Sequence, residues 1–519
     1  MQQVTRRTLS EGVALTCVTT PRFKRSVLRA VLLLPLGGEN AALRACLPQV
    51  LRRGTAEYTN LNALGAALDE LYGARIESAV RKEGENLCIG FLADCIDEAC
   101  VPDADGLTAR LVRLLANLLT DPYLPGGGFS ADYVEGEKNA LCDRIAALRN
   151  DPRSWAVRRL TALMCDGERY GASAFGTVEN AREITAEKLF AAWREALSTA
   201  KIELFYCGTH TPDEIEAMWR ETPLAAPRPG EIYQPHTEVL ASPASAPREI
   251  IEEEQVTQGK LSLGFRTGGA WLGSENAPAY WLFQTAFGGS TSSRLFLNVR
   301  EKKSLCYYAS AQFVTSKGLL LVNSGIENAN FEVARDEILH QLDECRAGAL
   351  TDAELDTARK TLANGWRAML DDPLTLERYW LGQAAAGLLI PPEKRIEQIS
   401  AVTPEQVTAA AQNTALACGY AADARELGAD AVIDYTREPL TGRYDLIVDI
   451  AGNRPLRLLR GLLTPRGRLM LAGGENGGRW LGGLERNLQV LALAPFTRQR
   501  LGAGVVRDET GECVVAWRS

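Results

Sequence analysis

Apolar positions along this chain recur with two periods, and the period switches from place to place. Leu61, Leu64, Leu68 and Leu71 step by three or four residues and predict one face of a helix, which Gly73 can end in a left-handed cap. Alternation follows at Ile76, Ser78 and Val80, then at Leu87, Ile89 and Phe91. These predict two strands joined by a turn at Glu83-Gly84-Glu85. Leu107, Leu111, Leu114, Leu115 and Leu118 make a second helical stripe, and another helix is expected from about Ala131 to Leu148. Asp151-Pro152 precedes a helix containing Trp155, and Thr185 is placed to cap a further one.

The order then repeats. A helix around Ser293 to Val299 precedes strands near Cys306 to Phe313 and Gly318 to Gly325. Helices follow from Phe331 and Asp352, then Asp372-Pro373 and Thr403-Pro404-Glu405. The Asp-Pro signals lie 221 residues apart (372 − 151) and the threonines 218 (403 − 185). That suggests a duplicated αβ unit; coincidence between common helix punctuation is the rival account. Six prolines between Pro223 and Pro247 show no steady period and read as an extended linker. After about Gln412 the texture changes to helices alternating with short apolar runs such as Leu446-Ile447-Val448. Such runs fit a parallel sheet buried on both faces. The expected domains are therefore 1–222, a linker at 223–249, 250–412 and a tail at 413–519.

Composition narrows the function. The 519 residues carry 57 Lys and Arg against 65 Asp and Glu, a net charge of −8, which argues against a nucleic-acid binder. No signal-peptide core follows the first arginines, and runs such as Val27 to Leu36 are too short to span a bilayer. A cytoplasmic protein is expected, with its twelve scattered cysteines reduced and Cys95 and Cys100 not a ligand pair. Of the three histidines, His210, His236 and His340, no two are four apart, and each reads as structural or surface.

The segment from Gly289 through Ser293-Arg294-Leu295-Phe296, continued by Val299-Arg300-Glu301-Lys302-Lys303-Ser304-Leu305-Cys306-Tyr307, closely resembles the second-half signature of insulinase/pitrilysin-type peptidases. Arg53-Gly54-Thr55, Leu71-Tyr72-Gly73-Ala74, Glu137-Lys138-Asn139-Ala140 and Tyr170-Gly171 through Gly176 resemble the first half. The likeness covers roughly residues 1 to 412. It implies an α+β fold of two homologous αβ half-domains of the insulinase/mitochondrial-processing-peptidase type, in a family that forms clam-like chambers around extended peptides. Active members bind zinc through His-x-x-Glu-His on a helix and a downstream glutamate. Alignment on Arg53-Gly54-Thr55 puts that motif on Ala45-Cys46-Leu47-Pro48-Gln49, and alignment on Glu137-Lys138-Asn139-Ala140 puts the last ligand on Arg144. Alanine has no donor atom, proline cannot act as a base, glutamine is a poor zinc ligand and a guanidinium repels a cation. No metal, cofactor or catalytic residue is expected.

Arg300 and Tyr307 match the family's Arg/Tyr pair, which in active members reaches the substrate backbone. They are the candidate substrate-binding residues; a surface ion-pair cluster around Arg300 with Tyr307 as strand filler is the alternative. Leu427-Gly428-Ala429-Asp430, Val432 to Tyr435, Tyr444 to Asp449 and Gly473-Gly474-Glu475 resemble part of the nucleotide domain of quinone-reductase-like dehydrogenases. The tail would then be a partial Rossmann-like α/β fragment. Its Gly-x-Gly-x-x-Gly turn is absent, so no cofactor is assigned to it.

The resemblance is nearest to metal-free bacterial proteins associated with elongation factor P modification. It implies a non-catalytic accessory or peptide-holding subunit acting with an active zinc-bearing homologue as a hetero-oligomer, or binding a peptide or protein substrate, with no nucleic acid and no membrane. A structural scaffold that binds no peptide and an oxidoreductase working through the tail are the alternatives.

Overall fold

Three sheets form among the residues that the computed structural model describes: 3–102, 106–254, 258–327, 330–424, 441–449, 455–471 and 499–503, with Val490, Leu493 and Thr497. The chain divides into one unit through Leu427 and a second from Gly428.

The first sheet contains β1 (Gln3–Ser10), β2 (Val13–Thr19), β3 (Arg25–Pro35), β4 (Arg75–Glu83), β5 (Asn86–Ile96) and β6 (Lys201–Gly208). Their order is β1-β2-β6-β3-β5-β4, with β2 and β6 parallel and the other pairs antiparallel. The central strands β3 and β6 are buried without alternation, and mostly apolar, because both faces of the sheet are covered. The outermost strand β4 keeps one unpaired edge. The β4–β5 turn needs Gly84, whose φ is +59° and where a Cβ would stand 2.1 Å from Thr237 Oγ1.

The second sheet contains β7 (Arg248–Glu254), β8 (Gly259–Arg266), β9 (Cys306–Val314), β10 (Leu319–Ile326) and β11 (Ala415–Ala424), in the order β7-β11-β8-β10-β9. Strand β11 corrects the expected end of this segment at residue 412. It lies between β7 and β8 and pairs with both, so residues 413–424 complete the second sheet instead of opening the tail. The reason is non-local: Cys418 and Tyr420 are buried against Leu160 and Met164, far away in sequence. The helix expected from Ser293 to Val299 is likewise revised to a π-helix, Leu295–Lys302.

Each sheet is covered by a helix that follows the other sheet's side of the linker. The helix Pro152–Met164 places Ala156, Leu160 and Met164 on Leu319, Leu321, Cys418 and Tyr420 of the second sheet. The helix Pro373–Ala385 places Leu376, Trp380 and Leu381 on Val18, Val27, Phe205, Val31 and Leu33 of the first. Both begin alike. Asp151 accepts from the backbone N–H groups of Arg153 and Ser154, Asp372 from those of Leu374 and Thr375, and a proline follows each. Thr185 and Thr403 also cap matching later helices.

Buried charges pin the seam. Arg29 on β3 and Arg81 on β4 hold Glu377 at 2.8 and 2.7 Å. Lys317, at the β9–β10 turn, reaches Glu85 and Glu168, both at 2.7 Å, and Arg266 on β8 also pairs with Glu168. The expected linker is extended after a short 3-10 turn at Pro223–Ala225. Arg228 ties it down by donating to the carbonyls of Gly12, Leu197 and Ala200.

A cavity of about 310 Å³ between the β4–β5 turn, the linker and the helix Pro373–Ala385 is lined in part by Glu83. Burial, only partly opposed by Arg81 and Arg378, pushes the Glu83 carboxyl up to about 7. A carboxyl raised in the fold above its ordinary value contributes full stability below that ordinary value and loses it as pH rises towards 7. Wild-type stability relative to Glu83→Gln should therefore fall by about 1–2 kcal/mol between pH 5 and pH 8, after allowing for solvent at the cavity mouth. Urea melts of both proteins at the two pH values check this; a pH-independent difference contradicts it.

In the second unit β12 (Tyr444–Asp449), β13 (Leu463–Leu471) and β14 (Arg500–Ala503) are parallel. The helix Leu456–Leu462 supplies Leu456 and Leu459 to a cluster with Leu463, Leu469 and Leu471. Leu446, Ile447 and Val448 are half-buried, not closed off on both faces as their sequence suggests. The motifs at Leu427 to Asp430, Val432 to Tyr435 and Gly473 to Glu475 lie outside the described residues. Among the described residues no helix is long and apolar enough to cross a membrane.

Candidate functional site

The segment Ala45–Gln49, where the resemblance places the zinc motif, sits on the helix Ala41–Leu51, which packs on β4 and β5. Ala45 is 1% exposed and Pro48 is buried inside the helix, while Gln49 is half-buried. Pro48 lacks the N–H that would donate to residue 44. Its own carbonyl accepts from the Arg52 N–H at 3.1 Å and from Ser78 Oγ of β4, also at 3.1 Å. The helix is thus fastened to the edge strand.

The helix Ala131–Ala146 packs against it and presents Arg144, which is exposed and lies over the Phe175 ring at 5.9 Å. Glu137, on the same helix, is already engaged: Arg53 Nε donates to it at 2.7 Å, and Arg53 also covers the Tyr133 ring. Cys46 is buried, and desolvation pushes its thiol up to about 12, far from the thiolate a metal needs. Ala45, Pro48, Gln49 and Arg144 therefore do not fit zinc. Among the described residues no cluster of three His, Cys, Asp or Glu side chains could hold a metal ion. His210 contacts Glu98 at 3.0 Å behind β6, His236 is exposed in the linker, and His340 is exposed on the helix Phe331–Arg346.

Arg300 and Tyr307 both belong to the second sheet's side. Arg300, on the π-helix, lies 4.6 Å from the Phe296 ring centroid and pairs with its neighbour Glu301 at 3.2 Å. A turn with Ser304 at φ +52° leads into β9. The register there slips, since Tyr308 pairs with Gly325 and Cys306 with Ile326. Tyr307 is consequently the extra residue of a β-bulge, which turns its ring outward. It is 59% exposed, and its hydroxyl donates to Glu327 at 3.4 Å. The ion pair expected under the surface-cluster alternative is present, and the strand-filler role for Tyr307 does not suit so exposed a ring. Like β4, β9 is an outermost strand with one edge unpaired.

Sequence reasoning missed the bulge, because alternation shows no local sign of one extra residue. It also missed the Lys317 contacts, although a lysine beside glycine in a hairpin turn was visible.

Comparison with known proteins gives the family. Residues 183–362 match the family described as the peptidase M16 inactive domain. The chain is 33% identical over 410 residues to the probable inactive metalloprotease YmfF of Bacillus subtilis, covering 79% of this chain and 95% of that protein. It is 26% identical over 304 residues to an uncharacterised zinc protease of Mycobacterium leprae, covering 58% and 67%. The crystal structure of a conserved protein from Enterococcus faecalis superimposes with a TM-score of 0.74 at 25% identity, over 81% of this chain and 99% of that one. A peptidase M16 inactive domain from Pseudomonas fluorescens gives 0.67 at 19% identity, over 82% and 99%, a likeness of fold. With the match to the M16 inactive domain and the relatedness extending over nearly all of the Bacillus protein, this chain belongs to the peptidase M16 family as an inactive homologue.

Proposed function

We propose that the protein is a non-catalytic M16 homologue that holds an extended peptide or protein segment and works as an accessory subunit beside an active, zinc-bearing homologue in the cytoplasm. The observation that carries this is the unpaired edge of β4 beside a motif helix that offers no metal ligand. Such an edge presents backbone N–H and C=O groups to which an extended chain can add as a strand, a mode that needs no catalytic group. On this reading Arg300 donates to peptide carbonyls and Tyr307, turned out by the bulge, supplies a hydroxyl. The earlier resemblance extends the proposal to elongation factor P modification, and co-purification with an active homologue and that machinery tests the extension. Elution of the protein alone under mild conditions counts against an accessory role.

The peptide-holding role is tested directly by calorimetry with unstructured peptides. Arg300→Ala combined with Tyr307→Phe should weaken binding about tenfold or more, or roughly 1.4 kcal/mol. Unchanged affinity would favour the scaffold reading. Metal analysis of the purified chain should find no stoichiometric zinc, and peptide cleavage should show no chelator-sensitive component. A cofactor role for the tail, proposed as a partial dehydrogenase-like domain, would require saturable binding of a nicotinamide nucleotide.

A further inference from the structure

Residues 144–159 carry five arginines against one acid, Asp151, in a chain whose net charge is −8. Asp151 is committed as a helix cap: it accepts from the Ser154 hydroxyl and from the N–H groups of Ser154 and Arg153, and these bonds hold its carboxyl below the usual range. Arg159 is paired with Glu252. The other four, Arg144, Arg149, Arg153 and Arg158, are exposed. Among the described residues none of them forms a salt bridge, although Arg149 acts through space on Glu252 and Arg153 on Asp151.

Three of these guanidinium groups lie on aromatic rings, Arg144 on Phe175 at 5.9 Å, Arg149 on Trp155 at 5.0 Å and Arg153 on Tyr308 at 4.3 Å. A ring beneath the guanidinium plane fixes its orientation and leaves the N–H edges free to donate. The row also has a direction. At one end Arg144 occupies the former ligand position, and Gly176, next to Phe175, abuts Ala42 of the motif helix so closely that a Cβ would lie 2.8 Å from its backbone nitrogen. At the other, Arg153 reaches Ser310 on β9 at 3.5 Å. Arg144, Arg149 and Arg153 thus run from the neighbourhood of the motif helix to β9, the outermost strand of the second sheet.

We infer that this row is a docking track selecting an acidic extended polypeptide, its Asp and Glu side chains taking paired N–H donors from the guanidinium groups. The inference deepens the peptide-holding reading and rests on it. A polypeptide is preferred to nucleic acid because four guanidinium groups would neutralise few phosphates, while the rest of the acidic chain repels a polyanion.

Fluorescence anisotropy with labelled peptides of equal length, one rich in Glu and Asp, one uncharged and one rich in Lys, together with a single-stranded DNA, decides the matter. The acidic peptide should bind about tenfold more tightly than the uncharged one at low salt, with the gap narrowing as salt rises. Arg149→Gln with Arg153→Gln should close most of that gap. Arg144→Glu, a charge reversal on an exposed site, should narrow it independently. Equal affinity for all three peptides would remove the acidic preference yet leave peptide holding intact, whereas binding of none would remove both. A gap that survives in the variants, or DNA binding tighter than the acidic peptide, would also overturn the inference.

Discussion

Glu377→Ala is expected to destabilise the first unit by about 3–5 kcal/mol, because it strands a buried cation. Arg29 is 1% exposed, and Glu377 is the carboxylate that answers it, through Nη1; the Arg29 Nε and Nη2 atoms have no acceptor among the described residues. Burial alone would raise the Glu377 carboxyl, but Arg29 and Arg81 outweigh it and hold the group below the usual carboxylate range. The pair is thus ionised at neutral pH, and deleting one member leaves the other desolvated. The control is to remove the whole set. Glu377→Leu with Arg29→Met and Arg81→Met should recover much of the loss, since well-packed apolar groups of similar volume avoid the desolvation cost. Chemical denaturation of the single and triple variants provides the measurement. A loss under about 1 kcal/mol in the single variant would mean that water reaches Arg29 and that the seam is looser than described.

The second large effect is expected at Trp380→Ala, about 3–5 kcal/mol from lost transfer free energy and the cavity left behind. Trp380 is 1% exposed and, with Leu376, fills the space against Val18, Val27, Phe205 and Cys207. It is the largest apolar group that the helix Pro373–Ala385 inserts into the first sheet, so the substitution reports on the exchange of covering helices. Trp380→Ala and Phe205→Leu touch one cluster and should couple in a double-mutant cycle. Trp380→Ala and Leu160→Ala, in separate clusters, should add. If Trp380→Ala proved nearly neutral, the helix would not be docked as described.

Both experiments bear on function through the seam. The resemblance to clam-like peptidases raised the expectation of space between two αβ parts. In this chain the facing surfaces are occupied by the exchanged helices and by buried ion pairs at Glu377 and Lys317. On the proposed reading an extended peptide adds to an outermost strand, β4 or β9 among the four that end the two sheets, near the helix Ala41–Leu51, Tyr307 and the arginine row.

The sequence alone determined the local features. Hydrophobic period placed the strands at 76–91 and the helix from Leu107, and capping chemistry placed Asp151, Thr185, Asp372 and Thr403, because each depends on neighbours within a few residues. It also supplied, through the family resemblance, the expectation that the zinc site is lost, since Ala45, Pro48, Gln49 and Arg144 are poor ligands wherever they lie. Only the tertiary structure decided that β11 completes the second sheet, that the two Asp-Pro helices exchange partners, that Lys317 reaches Glu85, that Tyr307 sits on a bulge, and that Arg144 and Arg153 lie on the rings of Phe175 and Tyr308. Those outcomes are set by burial and pairing between residues tens to hundreds apart, and no short window of sequence contains both partners.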